Sequence, residues 1–224
     1  MAGVKLMVRD QSLARNALPG DRILGSETLQ TVSTAGAGTL TGANMLADIL
    51  VRTGPSAGFT DTLPDASAII SAIIANTQYS GSGAQTPNGV DPGTTLRIRY
   101  VNTVAYAGTL SAGTGMTLSG STGINASSVK DYLLRINNGT PQQVLAANTT
   151  SASSLCGGLT AAQLQLLSPG MNVSGTGIPG GAKVISANLN GNLVLNTAAT
   201  ATGSLVSLTF NPDVTLIGLG QGTL

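Results

Sequence analysis

The carboxylates are the side chains whose type and spacing could most readily do chemistry, because paired Asp or Glu residues perform acid–base catalysis and groups of them bind cations. Asp61 and Asp65 are the closest pair, and Asp65 directly precedes a predicted helix, where a carboxylate commonly caps the N-terminus. Asp91 is alone in its loop, and no Asp or Glu lies between Asp131 and Asp213. We therefore predict neither a two-carboxylate catalytic site nor a calcium-binding loop.

The sequence contains no histidine, which is the commonest general base and metal ligand in proteins. Its absence excludes Ser-His-Asp triads, Cys-His pairs and zinc sites that depend on imidazole. The single cysteine, Cys156, cannot form a disulfide within the chain, and we interpret it as a small buried hydrophobic residue. We expect no catalytic residues, no metal ligands and no enzymatic activity.

One glycine motif, Gly175-Thr-Gly177-Ile-Pro-Gly180, matches the pattern G-x-G-x-x-G of dinucleotide-binding proteins. In those proteins the motif opens a helix, and an acidic residue follows about twenty residues later to bind the ribose. Here the motif leads into the strand-like run Ala182–Ile185, and no carboxylate follows until Asp213. We interpret it as a tight turn between strands and predict no cofactor.

The composition favours a protein that acts through its surfaces. Charged residues make up 8% of the chain and the net charge is +1, so little repulsion keeps copies or partners apart. The ten Lys and Arg residues are scattered and balanced by nine carboxylates, which argues against a nucleic-acid partner. No apolar run is long enough to cross a membrane or to form a signal peptide, and we expect synthesis in the cytoplasm.

The one local excess of positive charge lies near the N-terminus, within residues 1–30, and comprises Lys5, Arg9, Arg15 and Arg22. Asp10, Asp21 and Glu27 offset most of it. This stretch shows neither helical nor strand periodicity, so we predict an extended arm. The arm is either simply solvated or a contact segment for a partner protein.

The periodicity of the remaining sequence predicts a mainly β protein, an antiparallel sandwich or barrel with two to three short helices. A helix is expected from Thr41 or Gly42 until Gly54-Pro55, and a second one after Asp65. Leu96, Ile98 and Tyr100 alternate with Arg97 and Arg99, as in a half-buried strand. A third, short helix is expected within 159–167, and Asn190-Gly191 indicates a hairpin.

These elements suggest four segments. The arm of residues 1–30 precedes a helix pair and β-domain at 31–139, and residues 209–224 supply the closing strand of that domain. Residues 140–208 form a possible small β-subdomain inserted between the two parts.

Several segments of this β-rich region resemble structural proteins of tailed bacteriophages, above all capsid decoration (cement) proteins. The resemblance covers about half of the chain and is carried by strand and turn patterns, which are Thr94–Asn102, Gly108–Gly120, Gly170–Gly180, Ala198–Gly203 and Val206–Phe210. It implies a β-rich homotrimer on the exterior of the phage head, bound to the major capsid protein and made in the bacterial cytoplasm. It implies no active site.

If this resemblance holds, the arm around Lys5, Arg9, Arg15 and Arg22 is the first candidate for contact with the capsid or a neighbouring subunit. The strand face that carries Arg97 and Arg99 is the second candidate. An alternative function is a tail or fibre module that is structural or adhesive. An adhesive, glycan-binding role is less favoured, because such pockets use aromatic platforms and the chain has no Trp, two Phe and four Tyr.

Overall fold

The structure is a computed structural model that describes residues 28–75, 89–188 and 191–224. Lys5, Arg9, Arg15 and Arg22 lie outside the described residues. Within the described part, three short helices accompany fifteen strands. The helices are α1 (Gly42–Met45), α2 (Ala66–Ala75) and α3 (Ala161–Leu164). The strands before residue 139 are β1 (Leu29–Val32), β2 (Ile49–Arg52), β3 (Phe59–Thr62), β4 (Thr95–Asn102), β5 (Gly108–Ser111), β6 (Met116–Ser119), β7 (Gly123–Ile124) and β8 (Ser128–Asn138). Those that follow are β9 (Gln143–Thr149), β10 (Leu155–Cys156), β11 (Asn172–Gly175), β12 (Val184–Asn188), β13 (Asn192–Leu195), β14 (Gly203–Asn211) and β15 (Asp213–Thr223). The predicted mainly β class with a few short helices is confirmed.

The largest sheet has six strands in the order β1-β2-β4-β8-β15-β6. Its centre is antiparallel, because β8 pairs in that sense with both β4 and β15. Its two sides are parallel, since β1 pairs with β2, β2 with β4 and β6 with β15 in the same direction. The sheet is therefore mixed, and the antiparallel pairing expected from the sequence holds for its middle.

The inner face of this sheet packs against α1 and α2 to form the main core. Strand β4 alternates as predicted, with Leu96, Ile98 and Tyr100 buried between exposed neighbours. Helix α2 contributes Ile69, Ile70 and Ile73, which are all buried. The close approach of the two helices requires a glycine at position 42, because a Cβ there would collide with the carbonyl of Ala68.

The helix predicted from Thr41 to Gly54 was wrong beyond its first turn. The side chain of Thr41 and that of Asn44 form a capping box that starts α1, but the helix ends at Met45. Residues Ile49–Arg52 instead form β2, with an alternating burial pattern. The spacing of Met45, Leu46, Ile49 and Leu50 fits a helix, but the pairing of β2 with both β1 and β4 prevails over that local pattern.

A second core occupies residues 147–210 and lies between two three-stranded sheets. The sheets have the orders β10-β13-β12 and β11-β14-β9. The hairpin expected around Asn190-Gly191 is confirmed, since β12 and β13 pair with Asn188 opposite Asn192; Asn190 itself lies outside the described residues. Helix α3 covers Ala161–Leu164, which is shorter than the predicted 159–167, and β9 was not predicted.

The chain passes from the main core to the second core after Asn138 and returns before Asp213, and these two residues are partners in the register of β8 and β15. The Asn138 amide donates hydrogen bonds to Ser168 Oγ and to the carbonyl of Pro169, both at 2.8 Å. Lys183 Nζ lies 2.6 Å from Asp213 Oδ2. The junction is therefore polar. Whether residues 140–208 behave as an inserted subdomain stays a prediction.

The Gly175–Gly180 segment forms a turn after β11, as predicted. Gly177 has a φ of +75°, and the Ile178 amide donates to the carbonyl of Gly175. No described helix has the length and apolar character needed to cross a membrane.

Candidate interaction surface

The outward-facing side chains of the six-stranded sheet form the candidate functional site, which we call the outer face. Alternation along β4 and β8 directs Arg97, Arg99, Asp131 and Arg135 to this side, while the residues between them enter the main core. Pairing of β4 with β8 places Arg99 directly opposite Asp131. The outer face is thus set by strand register.

Two arginines share one carboxylate on the outer face. Arg97 Nη2 lies 2.7 Å from Asp131 Oδ2, and Arg99 Nε lies 3.0 Å from Asp131 Oδ1. The hydrogen bonds from Arg99 and Arg97 lower the pKa of Asp131 below its ordinary value, against the opposing effect of partial burial. Both arginines remain accessible, with 65% and 51% of their side chains exposed. The shared carboxylate brings the two guanidinium groups together on an exposed surface that a partner can contact.

Short aliphatic side chains flank the arginines. Val51, Val101 and Val129 form one continuous row, because each is the register partner of the next across β2, β4 and β8. Leu133 and Ile217 form a second contact between β8 and β15. All five are partly exposed. The outer face therefore combines partly exposed apolar surface with three arginines and one aspartate, a composition found at protein–protein interfaces.

The structure brings two of the six predicted contact residues, Arg97 and Arg99, to one place, and the other four lie outside the described residues. Arg135 and Asp131 are on the same face but were not predicted. The alternation along Ser128–Asn138 could have identified them, since it is as regular as that of β4. The flanking aliphatic row could not be identified from sequence, because it depends on the parallel register of β2 with β4.

Asp61, the other acidic residue considered above, is part of a buried structural network. Arg52 Nε lies 2.9 Å from Asp61 Oδ2, and both side chains are fully buried. Tyr100 donates to the same oxygen at 2.6 Å, and the Gly38 amide donates to Oδ1 at 2.8 Å. Burial and the bond to Asp61 raise the pKa of Tyr100. These polar atoms are mutually satisfied, so the network holds the loop after β1 in place.

Asp65 has a separate role from Asp61. Its main-chain carbonyl accepts from Ile69 in the first turn of α2, as a residue at the helix start should. Its carboxylate accepts from the amide of Thr114 at 2.7 Å and so ties the helix start to the loop before β6. The two carboxylates, those of Asp61 and Asp65, thus make different contacts.

Among the described residues, no group of three or more potential metal ligands is found.

Lys130 is the one cation that the main core encloses without a carboxylate partner among the described residues. Its Nζ donates to Ser121 O at 2.7 Å, Ser121 Oγ at 3.0 Å and Gly123 O at 2.5 Å. It also lies 5.5 Å from the centroid of the Tyr132 ring. Burial lowers the pKa of Lys130. Its contacts hold the segment from Ser121 to the start of β7, and we assign it a structural role.

Comparison with known proteins identifies no family for this chain. No protein-family model matches the chain, and no curated protein matches it significantly. Among solved structures, part of the phage phi92 endosialidase is similar at 16% sequence identity and a TM-score of 0.23. The match covers 43% of this chain and 17% of that protein. At this level the similarity carries no conclusion about function.

Proposed function

We propose that this protein is a virion structural protein, a capsid decoration protein that binds the major capsid protein on the exterior of a tailed-phage head. The proposal rests on the resemblance of its strand and turn segments to such proteins and on the outer face. The observation that carries it is the pair Arg97 and Arg99, which are both ion-paired with Asp131 beside an aliphatic row. This surface suits a protein partner whose contact region is apolar with acidic residues.

In this proposal the protein is made in the bacterial cytoplasm and assembles on the head as a homotrimer. Three copies of the outer face would then bind together, and linked weak contacts give much tighter binding than one contact alone. The low content of long charged side chains also favours extended contacts, because few flexible side chains lose entropy on binding. The proposed function includes no catalysis and no cofactor.

The first experiment is cryo-electron microscopy of virions or expanded heads from the source. Density for this chain at three-fold or quasi-three-fold positions on the head exterior would support the proposal. Density in the tail or fibres would overturn it in favour of a tail or fibre module. Absence of the chain from the virion would overturn both.

Binding to heads that lack the protein then tests the outer face. We expect the double variant Arg97→Ala/Arg99→Ala to bind at least about tenfold more weakly, the size of a typical interface arginine effect. Lys183→Ala is the matched control, because Lys183 is also partly exposed and ion-paired but lies at the junction with the second core. Equal binding by the double variant and the control would exclude the outer face as the contact.

A further inference from the structure

The free edge of the six-stranded sheet offers a second interaction site. Strand β1 is the last strand on its side, and among the described residues it pairs only with β2. We propose that this edge pairs with β1 of a second copy of the chain, antiparallel across a two-fold axis. This proposal is independent of the proposed function, since it requires no phage head.

The hydrogen bonds of β1 show which of its main-chain groups are available. The amide of Ile49 donates to the carbonyl of Thr28, and the amide of Thr53 donates to that of Val32. Because residues of a strand alternate between its two sides, Thr28, Gln30 and Val32 direct their main-chain groups toward β2. The amides and carbonyls of Leu29 and Thr31 therefore point away from the sheet.

The described edge lacks three features that often protect an exposed strand, namely charge, proline and a bulge. Leu29–Val32 contains no charged residue and no proline, and its pairing with β2 runs without a bulge. Leu29 is 60% exposed. Two uncharged edges approach each other without electrostatic repulsion. Two outer faces would repel each other, because each carries three arginines and one aspartate. The charge distribution therefore favours self-pairing at the edge and a different, acidic partner at the outer face.

The strand is held in position from both ends. The amide of Thr28 donates to Asp48 Oδ2 at 2.7 Å. At the other end, Arg52 Nη1 donates to the carbonyls of Val32 at 3.1 Å and Thr34 at 2.7 Å. A strand that is already ordered loses little conformational entropy when it pairs, which favours association.

One register pairs all of the main-chain groups of Leu29 and Thr31 that point away from the sheet. In this register, Leu29 of one copy exchanges two hydrogen bonds with Thr31 of the other, and the symmetry-related pair exchanges two more. Gln30 of one copy lies opposite Gln30 of the other on the two-fold axis. Gln30 pairs without hydrogen bonds across the axis, an arrangement that brings the two Cα atoms to about 4.5 Å. This separation permits a disulfide between two cysteines.

Cysteine cross-linking of the full chain tests this register. We expect Gln30→Cys to form a covalent dimer under mild oxidation, because the two thiols meet on the axis. Thr31→Cys is the matched control, since it faces position 29 of the other copy, and we expect it to cross-link at least about tenfold more slowly. The native Cys156 is buried and does not compete. Equal rates for the two variants would contradict the register.

Light scattering and sedimentation over a micromolar concentration series test the association itself. We expect wild-type particles with an even number of chains. Thr31→Pro should weaken association about 30-fold, because it removes two of the four intermolecular hydrogen bonds. Leu29→Lys should also weaken it through repulsion at the edge, whereas Leu219→Lys, an exposed leucine on β15, should not.

A wild-type protein that stays monomeric at 100 µM, or that forms trimers alone, would overturn edge pairing; the trimer result would leave the proposed function intact. Circular dichroism establishes that each variant is folded, and Leu29→Lys decides the matter if Thr31→Pro does not fold. A two-fold contact is compatible with three-fold symmetry elsewhere, because both axes occur together in dihedral assemblies.

Discussion

Arg52 and Asp61 form a fully buried ion pair in which the guanidinium and the carboxylate meet through two hydrogen bonds, of 2.9 and 3.2 Å. The other hydrogen bonds of Arg52 go to the carbonyls of Val32, Thr34 and Gly36, and Asp61 also accepts from Tyr100 and Gly38. A single pair therefore joins β2, β3, β4 and the loop after β1. Four predictions follow from this network and from its neighbours.

Loss of the Asp61 charge should strongly destabilise the fold. Asp61→Asn leaves the Arg52 cation buried without its counter-ion, and we expect the free energy of unfolding to fall by about 3–5 kcal/mol. Asp131→Asn is the control, because its arginine partners are exposed, and its effect should stay within about 1 kcal/mol. Urea denaturation of both variants measures the difference. A loss for Asp61→Asn as small as that for Asp131→Asn would show that burial of the Arg52–Asp61 pair has little energetic consequence.

Removal of the hydroxyl group should change the free energy of unfolding differently at the two buried tyrosines. The hydroxyl of Tyr132 is buried and has no hydrogen-bond partner among the described residues, so we expect Tyr132→Phe to be neutral or stabilising. The hydroxyl of Tyr100 donates to Asp61, so Tyr100→Phe should cost about 1–3 kcal/mol. Thermal unfolding of the two variants in parallel provides the comparison. A loss for Tyr132→Phe as large as that for Tyr100→Phe would contradict the assigned contacts.

The buried amine of Lys130 should make stability depend on alkaline pH. Burial lowers its pKa below the ordinary 10.5, so above the folded-state pKa the unfolded chain binds more protons at this site than the folded chain. The stability contribution of Lys130 therefore increases as pH rises from its lowered value toward 10.5. Lys130→Met removes this titration and leaves two carbonyls without their donor.

We expect the free energy of unfolding of the wild type, relative to Lys130→Met, to increase from pH 7 to pH 10. Chemical denaturation of both proteins at several pH values measures this difference, and other titrating groups cancel in it. A difference that stays constant or falls with pH would show that the amine is not desolvated.

Two glycines near the loop after β1 should differ sharply in their tolerance of alanine. A Cβ at Gly54 would collide with the carbonyl oxygens of Ser33 and Thr34, which are fixed backbone atoms. Gly54→Ala should therefore cost about 1–3 kcal/mol through backbone displacement. No atom of the described residues lies within 4 Å of a Cβ added at Gly36, so Gly36→Ala should be neutral or slightly stabilising. Equal melting temperatures of the two variants would argue against the described packing of this loop.

Local patterns predicted the elements whose burial repeats regularly along the chain. Strand β4 follows from the alternation of Leu96, Ile98 and Tyr100, and helix α2 follows from its isoleucine spacing after Asp65. The sequence of β2 fits both periodicities, and its outcome depends on neighbours about 20 and 50 residues away in the chain. Such cases require knowledge of the sheet order, which no local pattern contains.

The candidate interaction surface shows the same limit. Alternation was sufficient to place Arg97 and Arg99 on one exposed face. Their shared partner Asp131 is 32 residues beyond Arg99 in the chain, and only the register of β4 with β8 brings it opposite. The predicted N-terminal contacts at Lys5, Arg9, Arg15 and Arg22 stay a prediction.

The junction of the two cores has a consequence for how such a gene can change. Asn138 and Asp213 face each other across neighbouring strands, so the chain leaves and re-enters the six-stranded sheet at one point. A turn of a few residues between them would reconnect β8 to β15 without moving either strand. One insertion or deletion event could therefore add, remove or exchange the whole second core while every codon of the sheet is retained. The same site could carry a foreign domain for display.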